Sequence, residues 1–94
     1  MPITNTTGQF EPGRLVATPA ILRAVPRDEL MNAFFRHVRC DWGDTCDHDR
    51  ELNDQALSSG DRLFSVYHAK DGTKFWIITE AGRGYTTVLL PDDY

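Results

Sequence analysis

Both cysteines and two of the three histidines lie in one short stretch, RHVRCDWGDTCDHDRELND at residues 36–54. His37, Cys40, Cys46 and His48 are residue types that bind zinc, and structural zinc sites use four such ligands. The spacing of the second pair is unfavourable, because ligands two residues apart point roughly 200° apart on a helix. The four residues are therefore a weak metal candidate, and we expect no metal or other cofactor.

The same stretch is strongly acidic. Residues 41–54 contain six carboxylates against one arginine, a local net charge of −5 in a chain whose total is −4. The spacing of Asp44, Asp47, Glu51 and Asp54 places all four carboxylates on one face of a helix. Such a line suits docking to a basic protein, and it can also imitate the phosphates of a nucleic acid. A solvated helix face is the alternative interpretation.

Trp42, in the turn before the acidic residues, has two interpretations. An exposed tryptophan in a turn is a typical binding residue, whereas a buried one would pack on the sheet. Both interpretations stay open.

Catalysis by a Cys46 thiolate is disfavoured by the surrounding carboxylates, and an enzyme built around His37 with Asp41 would need a pocket that sequence does not reveal. We expect a non-enzymatic protein.

The helices that position this stretch follow from start and stop signals. Arg14–Ala17 predicts a short strand, and Thr18-Pro19 then starts a short helix that Pro26 ends. Pro26 opens a second helix, which carries apolar residues at three- and four-residue spacing. Asp44 is expected to cap a third helix that runs to about Ser58 and ends at Gly60.

From Arg62 onwards the period of the apolar residues changes to two. RLFSVYHA and TKFWIITE flank Asp71-Gly72, which is a strong hairpin signal, and YTTVLL is a third strand closed by Pro91. We predict an α+β fold in which two or three helices pack on a three- to four-stranded, mainly antiparallel sheet, in the order β-α-α-α-β-β-β. One domain spans residues 13–94, and residues 1–12 form a flexible tail.

Two expectations concern the surface of this sheet. Phe75, Ile77 and Thr79 are expected on its more exposed face. The C-terminal strand is expected to form a sheet edge, so the protein is either a monomer or an edge-paired homodimer.

Aromatic residues in the hairpin region have basic residues near them, which suggests another function. Arg62, Lys74, Trp76 and Arg83 would form a face on which single-stranded nucleic acid stacks. The acidic total charge argues against broad nucleic-acid binding, which needs a basic surface. This face is therefore the alternative to the acidic helix.

No feature of the sequence predicts membrane contact or export. No apolar run approaches the ~20 residues that span a bilayer, and the first residues lack the basic and apolar regions of a secretory signal. Two cysteines in such a chain are expected to be free thiols. We expect a cytoplasmic protein.

Several segments are together typical of one family. They are GRLVATP at 13–19, RHVR at 36–39, DWGD at 41–44, GDRL at 60–63, DGTK at 71–74, WIITE at 76–80 and TTVLLP at 86–91. Over residues 10–94 the chain resembles a family of small, uncharacterised plasmid-related proteins carried on bacterial plasmids, phages and integrative elements. The resemblance implies a bacterial cytosolic protein of mobile-element origin, and it implies no established activity.

The sequence departs from the family pattern at one position. The pattern has glycine where this chain has Cys40, which further weakens the zinc hypothesis. His37, Asp41, Trp42 and Gly43 match it. The resemblance thus implies that residues 36–44, called the corner below, form a shaped turn that positions Trp42 and an acidic helix.

These observations lead to one expectation about function and one alternative. We expect an accessory protein of a mobile element that binds an unidentified basic protein surface. Its binding residues are expected to be Trp42, Asp44, Asp47, Glu51 and Asp54. Anti-restriction or other anti-defence inhibition is the version that the mobile-element resemblance suggests. The nucleic-acid-binding module is the alternative.

Overall fold

The computed structural model describes residues 9–94 and shows the expected α+β fold. The elements are β1 Arg14–Ala17, α1 Pro19–Ala24, α2 Arg27–Val38, α3 Asp47–Ser59, β2 Leu63–His68, β3 Lys74–Thr79 and β4 Tyr85–Leu89, with 3-10 turns at Ala81–Arg83 and Pro91–Asp93. Within the described range, none of the helices has the length and apolar character needed to cross a membrane.

The four strands form one mixed sheet in the order β1-β4-β3-β2. β2, β3 and β4 pair antiparallel, whereas β1 pairs parallel to β4, with Arg14 opposite Tyr85. The expectation that the C-terminal strand is an edge is wrong, because β4 lies between β1 and β3. The long connection from β1 through three helices and a hairpin is what permits the parallel pairing.

The main core lies between α1, α2 and one face of the sheet. Ile21 and Leu30 pack there against Phe75 and Ile77. The expectation that Phe75, Ile77 and Thr79 occupy a more exposed face is wrong, because each is at most 1% exposed. Strand residues alternate between faces, and α1 and α2 cover the face that these three side chains share.

Most of the local signals act as predicted. The Thr18 hydroxyl accepts a hydrogen bond of 3.2 Å from the Ile21 N–H and so caps α1. Gly60 ends α3 in the left-handed conformation, at φ 83°. Asp71-Gly72 turns the β2–β3 hairpin, where the Asp71 carboxylate accepts from the Thr73 N–H at 2.9 Å.

The packed region begins before residue 13. The Gln9 N–H donates to the Val38 carbonyl at 2.7 Å, and the Phe10 ring stacks on Trp42 with centroids 6.3 Å apart. Among the described residues, packing therefore begins four residues before the predicted boundary, because Phe10 completes a small apolar cluster under α3. The first eight residues of the predicted tail lie outside the described part of the chain.

Candidate functional site

α2 ends at the corner in a left-handed turn. The Asp41 N–H donates to the Arg36 carbonyl at 2.9 Å and the Cys40 N–H donates to the His37 carbonyl at 3.0 Å, which is the Schellman pattern. Cys40 has a φ of 67°, a conformation that glycine adopts freely and that costs other residues about 1–2 kcal/mol. The turn geometry is thus a physical reason for glycine at this position.

The residues after this turn run beside β2. The Val66 N–H donates to the Trp42 carbonyl at 3.2 Å, and the Asp44 N–H donates to the Val66 carbonyl at 2.8 Å. Gly43, between them, has a φ of 72°, and a Cβ there would collide with the Val66 carbonyl oxygen. The expectation that Asp44 caps α3 is wrong: Asp44 is held on β2, and Cys46 occupies the cap position without a side-chain hydrogen bond.

Side chains brace the turn from both sides. The Arg36 guanidinium donates to the Asp41 carboxylate at 2.8 Å, which lowers the pKa of that carboxyl. Because both side chains are about half exposed, the pair contributes little to stability. The Tyr67 hydroxyl donates to the Asp41 carbonyl at 2.6 Å, and burial raises the pKa of Tyr67, so the hydroxyl stays protonated.

His37 sits at the centre of a buried chain of hydrogen bonds. Its Nδ1 lies 2.6 Å from the Ser65 hydroxyl, and its Nε2 lies 2.9 Å from the Thr79 hydroxyl. The Thr79 and Thr86 hydroxyls are 2.6 Å apart, and the Thr86 hydroxyl donates to the Pro12 carbonyl at 2.6 Å. The chain therefore connects α2 with three strands and the segment before β1.

The direction of each bond follows because a hydroxyl has a single proton. Thr86 gives its proton to a carbonyl, so it accepts from Thr79. Thr79 must then accept from Nε2–H of His37, whose Nδ1 accepts from Ser65. Burial, assisted by the positive charge of Arg83, lowers the pKa of His37 to about 3. Both ring nitrogens of the neutral histidine are occupied, so His37 is a structural residue.

The candidate metal ligands and catalytic pairs are not brought together. His37 is buried, Cys40 is partly buried, and Cys46 and His48 are exposed at the start of α3. Across residues 9–94 there is no group of three or more His, Cys, Asp or Glu side chains that could hold a metal ion. His37 makes its hydrogen bonds to hydroxyls, whereas the Asp41 carboxylate pairs with an arginine.

Trp42 is buried, which contradicts its assignment as an exposed binding residue. It is 6% exposed and packs against the rings of Phe10 and His37, which also contact each other. Its indole N–H donates to the Asp54 carboxylate at 3.3 Å. The packing interpretation of Trp42 is therefore the correct one, and the ring anchors α3 to the corner.

Polar side chains fix the inner side of α3. The Asn53 amide donates to the Phe64 carbonyl at 2.7 Å and accepts from the Phe64 N–H at 3.0 Å, so it pairs with β2 as a neighbouring strand would. Arg50 donates to the Gly43 carbonyl at 2.9 Å, and Arg83 donates to the Ala56 carbonyl at 2.7 Å. Sequence reasoning missed both Asn53 and Arg50. The one signal was that Asn53 is a polar residue at an inward position of the helix, whereas Arg50 is exposed and gave no such signal.

Three of the four predicted carboxylates share the outer face of α3. Asp47, Glu51 and Asp54 are exposed and lie opposite the buried Asn53 and Ala56. At 1.5 Å of rise per residue they extend over about 10 Å. No lysine, arginine or histidine forms a salt bridge with them within residues 9–94.

Asp44 belongs to a different surface. Its carboxylate lies 2.7 Å from Nδ1 of His68 at the end of β2, because the preceding turn directs it along the strand. The predicted line of four carboxylates is therefore a line of three.

The alternative basic face is only partly assembled. Lys74 and Trp76 lie on the same side of β3, and the Arg62 guanidinium donates to the Tyr94 hydroxyl at 2.5 Å. Arg83 is not part of this face, because its guanidinium donates to the Ala56 carbonyl near the end of α3 and to the Asp61 carbonyl just after that helix.

An apolar groove does lie on this side of the sheet, between α3 and the C-terminal residues. It has a volume of about 260 Å³ and is lined by Leu52, Phe64, Trp76, Tyr94 and their neighbours. The Trp76 ring contacts Phe64 edge-on at 5.1 Å between centroids and Tyr94 at 5.8 Å. Its indole N–H is buried and has no hydrogen-bond partner in the described part of the chain.

Comparisons with protein-family models, with curated proteins and with solved structures found no match to this chain. The plasmid-related resemblance therefore stays a prediction, and the geometry of α3 and the groove is the basis for a proposed function.

Proposed function

We propose that this chain is a non-enzymatic binding protein that docks onto a basic protein surface through the outer face of α3. This surface, called the acidic face below, consists of Asp47, Glu51 and Asp54. The observation that carries the proposal is that three exposed carboxylates lie in a row on a helix whose opposite side is fixed to the sheet. Little ordering of the helix is then needed on binding.

Two of these three carboxylates stabilise α3 or its contacts, and the third does not. Asp47 lies in the first turn, where a carboxylate interacts favourably with the helix dipole. Asp54 accepts the Trp42 indole N–H. Glu51 has neither role, and it lies four residues from Asp47 and three from Asp54, where like charges destabilise a helix by about 0.2–0.5 kcal/mol per pair. A cationic partner would relieve this repulsion.

The chemistry of the acidic face restricts the partner. Carboxylates about 5 Å apart along a rigid helix complement a surface that carries several arginines or lysines. Surfaces that bind nucleic-acid phosphates have this character. The resemblance to mobile-element proteins supports one version of the proposal, in which the partner is a host defence protein such as a restriction factor.

The test compares two variants with equal changes in net charge. Asp47→Asn/Glu51→Gln neutralises the acidic face and keeps the Trp42–Asp54 contact, whereas Asp28→Asn/Asp92→Asn neutralises two exposed carboxylates elsewhere. The proposal predicts that the wild-type protein and the control Asp28→Asn/Asp92→Asn capture the same proteins from a bacterial lysate. The variant Asp47→Asn/Glu51→Gln should fail to capture them. This capture should weaken as salt rises. Equal capture by all three proteins would contradict the proposal.

The apolar groove supports a second candidate function, which is binding of single-stranded nucleic acid. Its aromatic side chains offer stacking surfaces, and Arg62 at its edge offers a cation. Fluorescence anisotropy with a labelled single-stranded oligonucleotide tests it. Binding should fall in Arg62→Gln/Lys74→Gln and should persist or rise when the acidic face is neutralised. Absence of binding by wild type at low salt would exclude this candidate.

A further inference from the structure

The two edge strands of the sheet, β2 and β1, differ in whether their outward backbone groups are hydrogen-bonded. The outer edge of β2 is closed, because Asn53 satisfies both backbone groups of Phe64 and the corner satisfies both backbone groups of Val66. The outer edge of β1 has no such cover from residues 9–94. An uncovered edge strand is a template for pairing with another strand.

The backbone groups at this open edge can be identified. The Arg14 N–H donates to the Gly84 carbonyl and the Thr18 N–H donates to the Val88 carbonyl, each at 3.1 Å, so both point towards β4. Because backbone groups alternate in direction along a strand, Leu15 and Ala17 direct their N–H and C=O groups outward. The Leu15 side chain is also 41% exposed.

We infer that β1 pairs with β1 of a second copy of this chain, antiparallel and about a two-fold axis at Val16. This register sets Leu15 opposite Ala17 of the partner subunit and forms four hydrogen bonds. Shifting the axis by one residue places it on Leu15 or Ala17 and requires pairing with Gly13 or Pro19. Gly13 is left-handed, at φ 68°, and Pro19 has no N–H, so neither can extend the ladder.

The charges at the ends of this ladder are complementary. In the same register Arg14 lies opposite Thr18 of the partner subunit. The Thr18 hydroxyl donates to the Asp93 carboxylate at 2.8 Å, so Asp93 lies beside Thr18. Each Arg14 guanidinium therefore approaches Asp93 of the partner subunit, and the two-fold axis repeats the contact.

Apolar surface continues across the same edge. Leu15 and Ala17 line a groove of about 220 Å³ together with Leu22, Phe34 and their neighbours, on the helix-covered side of the sheet. Leu22 is 51% exposed. Pairing through a two-fold axis perpendicular to the sheet keeps the grooves of both copies on one side, where Leu15 covers part of the partner's groove. Four residues per strand form a small interface, so we expect weak association.

Sedimentation of the full chain across a concentration series measures this association. We expect a monomer–dimer equilibrium that Leu15→Pro weakens at least about tenfold, because proline removes an outward N–H and no bond to β4. Leu15→Ala, which keeps that N–H, should weaken it less. A chain that stays monomeric at the highest soluble concentration, or a dimer that Leu15→Pro leaves unchanged while the fold persists by circular dichroism, would overturn the inference.

Disulfide crosslinking tests the register in a background of Cys40→Gly and Cys46→Ser. The two Val16 Cα atoms should lie about 4.5 Å apart, within the range of a disulfide, so Val16→Cys should crosslink rapidly under mild oxidation. Leu15→Cys is the matched control, because its two Cα atoms would be about 8 Å apart. Faster crosslinking of the control, or none from either variant, would contradict the two-fold axis at Val16.

Discussion

Lowering the pH from 7 to 5 should destabilise this fold through His37. Burial lowers the pKa of His37 from 6.5 to about 3, so the folded state excludes a proton that the unfolded chain binds. The stabilisation is fully present above pH 6.5 and falls by about 1.4 kcal/mol per pH unit below it, until the folded pKa is reached. Between pH 6.5 and pH 5 the loss is about 2 kcal/mol.

This loss is large for a chain of 94 residues, whose free energy of unfolding is expected to be about 5–10 kcal/mol. The His37 effect also occurs in a different pH range from the protonation of the carboxylates. Asp41 and Asp71 have pKa values lowered in the folded state, so their contribution disappears at lower pH, as they protonate below their ordinary pKa of 3.8. The interval from pH 6.5 to pH 5 therefore isolates the buried histidine from these carboxylates.

Urea unfolding at pH 7, 6 and 5 measures the effect in wild type and in His37→Gln. The variant should be less stable at pH 7, because glutamine does not reproduce the hydrogen bonds to Ser65 and Thr79. Its loss of stability between pH 7 and pH 5 should nevertheless be smaller than that of wild type by about 2 kcal/mol. His68→Gln changes an exposed histidine and serves as the control. It should keep the loss of about 2 kcal/mol that His37 causes between pH 7 and pH 5. The reasoning fails if wild type and His37→Gln lose equal stability over this range.

Three further changes have expected effects on the urea-unfolding free energy. Cys40→Gly should stabilise the protein by about 0.5–1 kcal/mol, since relief of the left-handed backbone outweighs the lost packing of a partly buried thiol; destabilisation would contradict this. Gly43→Ala should cost more than 2 kcal/mol, because it adds a clash with backbone to the unfavourable φ, while Gly60→Ala, in open space, should cost about 1 kcal/mol; equal costs would refute the clash. Asn53→Ala should cost about 2–4 kcal/mol by leaving both backbone groups of Phe64 unpaired, and a cost under 1 kcal/mol would show that water replaces the amide.

Much of the secondary structure was predictable because its signals are local. The Thr18-Pro19 start, the Asp71-Gly72 hairpin and the Gly60 stop each depend on a few adjacent residues. Alternation of apolar residues also located β2, β3 and β4. Alternation does not say which face the helices cover, so it cannot place Phe75 and Ile77 on the covered side of the sheet.

The corner was harder to predict because its contacts are distant in sequence. In the sequence alone, His37 is a candidate metal ligand or base. Its two ring nitrogens are in fact hydrogen-bonded to Ser65 and Thr79, which lie 28 and 42 residues away. Trp42 is buried because Phe10, a residue of the predicted tail, packs on it. The parallel β1–β4 pairing has the same origin, since nothing within β1 specifies a partner so far along the chain.

Photo-crosslinking from Ser58 tests the central claim most directly. Ser58 is exposed, and the helical period places it on the outer face of α3 next to Asp54 and Glu51, so a photoreactive residue there leaves every carboxylate intact. The account predicts a discrete protein adduct in cells that a probe at Asn32, on exposed α2 surface, does not give, and that Asp47→Asn/Glu51→Gln abolishes. Identical adducts from both positions, or an adduct at Ser58 that survives neutralisation, would contradict the acidic face as the binding surface.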